Sequence, residues 1–225
     1  MPLSRILLLT IVAASPAIAQ QPPDSLRLPA VLRIDREKEI ALARTAGPPA
    51  VADAAEIWVL GARGYEKAVA GTNGYGCIVQ RGMGGQSLIP RCDDPSGVET
   101  LFPIYQMIET MRADQKTYGD FRRELADAYK TGKLGVPKHG GFSYMYSGDA
   151  FFTTNSGQRV AFTPHVMVYW PNCTTTLLGM SKAEHMRGTG LGFIDYGTPE
   201  CTLVINTPPS TVRRMAEPTP PSAPR

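Results

Sequence analysis

The chain has 225 residues, with 23 basic and 20 acidic side chains and a formal net charge of +3. That length fits one domain or two small ones, and the apolar content is sufficient for a hydrophobic core. The near balance of charge gives no basic surface for nucleic acid, so we expect no nucleic-acid partner. Glycine and proline are frequent, with 22 and 20 residues, which favours many turns over long regular elements.

The N-terminus has the pattern of a secretory leader. Residues 1–5 are a short basic head, residues 6–14 are apolar, and the small residues of 17–19 stand where a signal peptidase reads the chain. We predict a signal peptide over 1–19, a periplasmic or extracellular location and no stable membrane insertion after cleavage. A retained anchor is the weaker alternative, because the apolar run is shorter than the about 20 residues that span a bilayer. Cleavage removes Arg5 and no acid, which leaves 22 basic and 20 acidic side chains, or +2.

Export changes how the four cysteines are interpreted. In an oxidising compartment an even number indicates disulfides, and four cysteines allow three pairings. We predict Cys77–Cys92 and Cys173–Cys201, because each pair closes a modest loop beside a predicted strand. A four-cysteine zinc site and a redox-active dithiol are weaker alternatives, since the sequence has no C-x-x-C spacing.

The first predicted elements are a flexible polar segment over 20–30 and one helix. The helix runs from about 36 to 46, with Asp35 as its N-cap and acidic side chains in its first turn. The apolar run 55–61 does not alternate with polar residues. That pattern is typical of a strand buried on both faces.

The pair Asn73-Gly74 predicts a tight turn, because both residues tolerate positive φ. We expect it to join strands at 65–70 and 75–81 as a β-hairpin. With the strand at 55–61 these would make an antiparallel meander.

A helical region follows the glycine-rich loop 82–90 and the turn cluster 93–97. Apolar side chains at steps of three and four predict two helices, broken near 117–119, that form a hairpin. Thr117 and Asp120 resemble a capping pair for the second helix. The two apolar faces consist of Val98, Leu101, Ile104, Tyr105, Ile108 and Met111, and of Phe121, Leu125 and Tyr129.

The last third of the chain is predicted to add strands. Alternation and β-forming residues predict them at 142–147, 151–154, 165–170 and 201–206. Residues 180–196 are polar and interrupted by glycine, which indicates an exposed loop.

Strands, then helices, then strands indicate an α+β fold. We predict one domain over 31–207, with a mainly antiparallel sheet of five or six strands and the helical hairpin packed on one face. A disordered proline-rich tail follows at 208–225. A doubly wound parallel sheet is the weaker alternative, because strands and helices do not alternate regularly.

Familiar catalytic motifs are missing from the sequence. It has no G-x-S-x-G elbow, no H-E-x-x-H helix and no phosphate-binding loop. The three histidines, His139, His165 and His185, have no ligand spacing among them, so no metal and no cofactor are expected.

Four side chains near the late strands are weak candidates for ligand binding. Tyr144 and Tyr146 share one strand face, while His165 and Tyr169 share a face of a later strand. Aromatic rings with polar tips suit pockets and interfaces, whereas ordinary core packing is the competing interpretation. For His165, a bond to the backbone is favoured over a role as catalytic base.

Two stretches are distinctive: Gly71-Thr-Asn-Gly-Tyr-Gly-Cys77 with the returning Cys92, and Pro164-His-Val-Met-Val-Tyr169. Together they resemble segments of a group of uncharacterised exported bacterial proteins. The resemblance covers much of the mature domain and implies export from a bacterial cell. It implies no activity, ligand or catalytic residue, and it does not extend to Cys173 and Cys201.

The main interpretation is an exported, disulfide-stabilised domain that binds an unidentified small molecule or protein without catalysing a reaction. It depends on the absence of a recognisable nucleophile, base or metal constellation. The alternative is a secreted hydrolase or transferase with a site around His165, Tyr169 and Tyr144. Convergence of those side chains in a pocket, with an acid behind the imidazole, would favour the alternative. Whether the protein is an enzyme stays open at this point.

Overall fold

The computed structural model describes residues 23–136, 140–154, 156–174, 179 and 197–216, and the backbone of 191–194. The architecture is α+β, with a mainly antiparallel sheet at its centre, as the sequence predicts. The predicted signal peptide lies outside the described residues. None of the helices in the described ranges combines the length and the hydrophobicity of a membrane span.

The described residues form five α-helices, ten strands and one short 3-10 helix at Pro209–Thr211. The helices are α1 Arg36–Arg44, α2 Pro49–Ala52, α3 Pro95–Thr100, α4 Phe102–Ala113 and α5 Tyr118–Lys130. The strands are β1 Glu56–Leu60, β2 Tyr65–Val69, β3 Gly76–Gln80, β4 Ile89–Asp93, β5 Phe142–Met145, β6 Phe151–Thr153, β7 Arg159–Ala161, β8 His165–Tyr169, β9 Leu191–Ile194 and β10 Thr202–Asn206.

Eight of the described strands form the main sheet, in the order β2-β1-β3-β4-β5-β8-β10-β9, and β6 pairs with β7 in a separate ribbon. Neighbouring strands are antiparallel except β1 and β3, which are parallel. The sheet is therefore larger than the five or six strands predicted. It gains β4, and it gains β9 from within the predicted loop 180–196.

The predicted hairpin around Asn73-Gly74 is wrong. Strand β1 lies between β2 and β3, so the connection crosses the start of β1 instead of joining two neighbours. The turn itself does form: Gly74 has φ +77°, and the Asn73 side chain accepts from Tyr75 N at 3.0 Å and donates to Val51 O at 2.9 Å. The turn residues determine the bend, but the buried strand β1 lies between β2 and β3 and pairs with both, so β2 and β3 do not pair with each other.

Strand β4 occupies part of the predicted loop 82–90. Its second residue, Pro90, disfavours a central strand because proline has no N–H to donate. Strand β5 pairs with β4 only at Cys92 and Asp93. Pro90 thus lies where β4 has no partner on its β5 side, and the missing N–H costs no hydrogen bond there.

The sheet carries helices on both faces. Helices α1 and α2 pack on one side, here called the α1 face, and α3, α4 and α5 pack on the other, the α4 face. In β1, Ile57 and Val59 belong to the core of the α1 face, whereas Trp58 and Leu60 pack against the core of the α4 face. This confirms the strand buried on both faces.

Helices α4 and α5 form the predicted hairpin, and the predicted cap of α5 is confirmed. The Thr117 hydroxyl accepts from Asp120 N at 3.1 Å, and the Asp120 carboxylate accepts from Thr117 N at 2.9 Å. The turn predicted over 93–97 is instead the start of α3. Asp94 caps that helix by accepting from Gly97 N at 2.8 Å.

Both ends of the described chain are attached to the domain. Leu28 is buried and donates its N–H to the α4–α5 connection at 2.9 Å. Arg213 donates its N–H to Tyr146 O, also at 2.9 Å. These contacts lie in 23–30 and 208–216, which the sequence predicts as a flexible segment and part of a disordered tail.

Both predicted disulfides are present. Cys77 and Cys92 face each other across β3 and β4, in the core of the α1 face. Cys173 and Cys201 join the segment after β8 to the one before β10. All four side chains are buried, and none is a free thiol. The fold is therefore stabilised by two bridges.

Candidate functional site

The four candidate side chains lie on opposite faces of the sheet. Met145 of β5 pairs with His165 of β8, and paired residues share a face. His165 and Tyr169 therefore point to the α4 face, because they are four residues apart on one strand. Tyr144 and Tyr146 flank Met145 and point to the α1 face. The sheet thus keeps the two pairs apart.

The His165 side chain is buried and bonded to its own loop. Its Nδ1 lies 2.7 Å from Thr163 O, and its ring centroid is 5.9 Å from that of Phe162. Burial lowers the pKa of the imidazole; the bond to Thr163 raises it, and the Arg91 guanidinium lowers it further. The imidazole is therefore neutral near pH 7, in a backbone bond of the kind that the sequence favours.

We expect His165→Asn to reduce the pH dependence of the free energy of unfolding below pH 6.5. The pKa of the folded imidazole lies below the ordinary value of 6.5, so the unfolded chain takes up the proton first as the pH falls. The stability linked to this group is complete above pH 6.5 and is lost below it. Urea unfolding of both proteins between pH 7.5 and 5 measures this. Identical slopes would contradict it.

Tyr169 belongs to a buried ion network. Arg91 and Asp93 alternate on β4 and so share the α4 face, with Arg91 Nη2 2.7 Å and Nε 3.0 Å from Asp93 oxygens. The Tyr169 hydroxyl accepts from Arg91 and donates to Asp93. The guanidinium also lies 4.8 Å from the Tyr105 ring centroid. Burial raises the pKa of Tyr169, so this hydroxyl stays protonated.

The network has a structural role, because its members are enclosed. Arg91 is 4%, Asp93 0% and Tyr169 2% exposed. Tyr169 reaches Asp93 from two strands away, past Ser143, which pairs with Asp93 on β5 and has a small side chain. Sequence reasoning missed the network because no strand was predicted over 89–93 and Asp93 was assigned to a turn. Only the strand register brings them to Tyr169.

The α1 face carries four half-buried aromatic side chains in contact, which we call the aromatic row: Tyr75, Phe142, Tyr144 and Tyr146. Along β5, ring centroids are 4.7 Å apart from Phe142 to Tyr144 and 5.3 Å from Tyr144 to Tyr146, with the rings edge to face. The Tyr75 ring lies 6.2 Å from that of Tyr144. Alternation along β5 puts these rings outside while Ser143 and Met145 are buried.

Backbone hydrogen bonds hold two members of the aromatic row, Tyr75 and Tyr146. Tyr75 follows the Asn73 turn, and its carbonyl accepts from Glu56 N at 2.9 Å. Tyr146 donates its N–H to Ala46 O, just after α1, at 2.8 Å. In the middle, Tyr144 pairs with the disulfide-bonded Cys92. The row therefore lies directly beside the Cys77–Cys92 bridge.

The tyrosine hydroxyls of the aromatic row are open to solvent. They form no hydrogen bond with the described residues. Among those residues, the enclosed side-chain oxygen or nitrogen that lacks a hydrogen-bond partner is Ser143 Oγ. Burial of the rings raises the pKa of Tyr75 and Tyr146, so these hydroxyls are protonated at neutral pH. They can therefore both donate to and accept from a ligand.

Sequence reasoning found half of the aromatic row. Tyr144 and Tyr146 were candidates, and Phe142 was detectable because it continues their spacing of two. Tyr75 is different, since only the pairing of β3, β4 and β5 brings it beside Tyr144. Within the described residues no group of three or more His, Cys, Asp or Glu is placed to hold a metal ion.

Comparison of the chain with protein-family models, with curated proteins and with solved structures finds no match. The function is therefore argued from the geometry of the aromatic row and its surroundings.

Proposed function

We propose that the protein is an exported bacterial binding domain without catalytic activity, and that the aromatic row is its contact surface. The observation that carries this proposal is the set of touching, half-buried rings with solvent-facing hydroxyls. Export to the periplasm or the cell exterior is supported by the leader pattern in 1–19 and by the two disulfides. The resemblance of 71–77 and 164–169 to exported bacterial proteins agrees with it.

The ligand class that fits the aromatic row is a polysaccharide of the cell envelope. Sugar rings have apolar C–H faces and hydroxyl edges, and tyrosine offers an apolar face and a hydroxyl to match both. From Phe142 to Tyr146 the row covers four residue steps, or about 13 Å, which is long enough to contact consecutive sugar units. The small net charge of the mature chain disfavours recognition by charge alone.

Tyr144→Ala is expected to weaken binding to purified peptidoglycan by roughly tenfold, because it removes the central ring and its contacts with both neighbours. Co-sedimentation with the insoluble polymer measures the affinity. Tyr144→Phe should lose less, since it keeps the ring and removes only the hydroxyl.

Phe152→Ala is the matched control for that variant. Phe152 is also partly exposed, at 36%, but it lies on β6 in the separate ribbon. Its replacement should leave co-sedimentation unchanged. Equal losses in both variants, or no binding by the unaltered protein, would contradict the proposed function.

The alternative, a secreted hydrolase or transferase around His165, Tyr169 and Tyr144, lacks support from the geometry. His165 and Tyr169 project from the α4 face of the sheet, whereas Tyr144 projects from the α1 face. The imidazole contacts a backbone carbonyl, and Tyr169 is enclosed by Arg91 and Asp93. Binding is therefore the function that the described residues favour.

A further inference from the structure

A separate cleft lies where the N-terminal segment, the β1–β2 turn and the end of α4 meet. It encloses about 200 Å³. Its walls are small or apolar and include Val31, Leu60 and Ala113, while its ionisable lining residues are Arg33, Glu109 and Arg112. The volume is below the roughly 300 Å³ at which pockets begin to hold drug-sized molecules, so only a small ligand fits.

Glu109 places an incompletely bonded carboxylate in this cleft. The residue is 4% exposed, and its Oε2 accepts from Arg112 Nε at 3.1 Å. Its Oε1 accepts no hydrogen bond from the described residues and is not among their enclosed unpartnered atoms, and Glu109 lines the cleft. Burial raises the pKa of Glu109, which is the expected effect of incomplete solvation on a carboxylate.

The Nη atoms of Arg112 donate to backbone carbonyl groups of the protein. Its Nη1 donates to Pro29 O at 2.7 Å and Met83 O at 3.2 Å, and its Nη2 donates to Gly82 O at 3.0 Å. It therefore holds the wall of the cleft and the orientation of Glu109. Oε1 of Glu109 is left for a donor that comes from a ligand.

Arg33 supplies the opposite charge. Arg33 is exposed, and its Nη1 donates to Gly61 O at 3.0 Å, which fixes the side chain. The other N–H groups of its guanidinium stay available to a ligand. With Arg33 and Arg112 against Glu109, the ionisable lining carries a net charge of +1. A simple cation is disfavoured there, whereas a ligand that brings both an ammonium and a carboxylate adds no net charge.

We propose that this cleft binds a small zwitterion, a free amino acid with a modest apolar side chain. Its ammonium donates to Oε1 of Glu109, its carboxylate accepts from Arg33, and its side chain packs against Val31, Leu60 and Ala113. Charge-assisted hydrogen bonds at both ends fix its orientation. This site is independent of the aromatic row and adds a second, small-molecule ligand to the protein.

Isothermal titration calorimetry of the mature protein with L-alanine and L-leucine tests the proposal. We expect saturable binding, and Glu109→Gln and Arg33→Ala should each weaken it at least tenfold. Acetate and ethylamine, which carry one charged group each, should bind at least tenfold more weakly than the amino acids. The matched control is Arg63→Ala, because Arg63 lies on the β1–β2 turn that borders the cleft but does not line the cleft itself.

A second variant protects the test against a folding defect in Glu109→Gln. Ala113→Leu adds bulk to the cleft and keeps the Glu109–Arg112 pair, so it should abolish binding without changing the unfolding midpoint. The proposal is overturned if neither amino acid binds, or if ethylamine or acetate binds as tightly. Peptidoglycan binding by the aromatic row is measured separately, so either proposal can fail without the other.

Discussion

Replacing Arg91 with alanine is expected to lower the free energy of unfolding by about 3–5 kcal/mol. The reason is that Asp93 is 0% exposed and receives its principal bonds from Arg91, with a contact of 2.7 Å. Without the guanidinium a carboxylate would stay buried and poorly paired, and the Tyr169 hydroxyl would lose one of its two partners. Urea unfolding of the purified protein, followed by far-ultraviolet circular dichroism, measures the loss.

Arg63→Ala is the matched control for this prediction. Arg63 and Asp114 also approach to 2.7 Å, but the arginine side chain is 69% exposed. Exposed pairs of this kind contribute less than about 1 kcal/mol. The two variants therefore remove ion pairs of equal length and unequal burial. Similar losses in both would contradict the structural role assigned to the buried network.

Removing the Cys77–Cys92 bridge is expected to lower the free energy of unfolding by about 3 kcal/mol through chain entropy alone. That value follows from the sequence separation of 15 residues. The double variant Cys77→Ala, Cys92→Ala also removes two fully buried sulfur atoms under α1, so the total loss should be larger. Urea unfolding measures it.

The second bridge provides the comparison. The double variant Cys173→Ala, Cys201→Ala opens a separation of 28 residues, for which chain entropy gives about 3.6 kcal/mol. Because Cys92 pairs directly with Tyr144, only the first double variant should also weaken peptidoglycan binding. Free thiols at Cys77 or Cys92 in exported protein, or a loss below about 1 kcal/mol, would contradict the assigned role.

Much of the fold could be predicted because its signals are local. The capping box at Thr117 and Asp120, and the alternation from His165 to Tyr169, each depend on residues within one turn or one strand. The unalternating run in β1 correctly indicated burial on both faces, because helices from both layers pack on it. Periodicity and capping report the immediate surroundings of a residue, which the chain itself specifies.

Strand partners could not be predicted in the same way. Asn73-Gly74 specifies a bend, but nothing nearby in the sequence indicates that β1 will lie between β2 and β3. Proline disfavours a central strand, but β4 tolerates Pro90 because β5 does not pair with β4 at that residue. In each case the outcome depends on a contact made far away along the chain.

The candidate site was half predictable for the same reason. Spacing of two along one strand exposes Tyr144 and Tyr146 together, and it also places His165 with Tyr169. Which of these pairs faces solvent depends on the helices that cover each face. Tyr169 lies in the core of the α4 face and His165 is buried beside Phe162, whereas the first pair stays half-buried on the α1 face.

The aromatic row is proposed here as the contact surface for a polysaccharide. The most direct test of this proposal is nuclear magnetic resonance of the mature protein titrated with soluble oligomers of N-acetylglucosamine. We predict saturable shifts in the ring signals of Tyr75, Phe142, Tyr144 and Tyr146, with the Phe152 signals unchanged. Shifts confined to other parts of the molecule, or no shifts at saturating oligomer, would contradict the account.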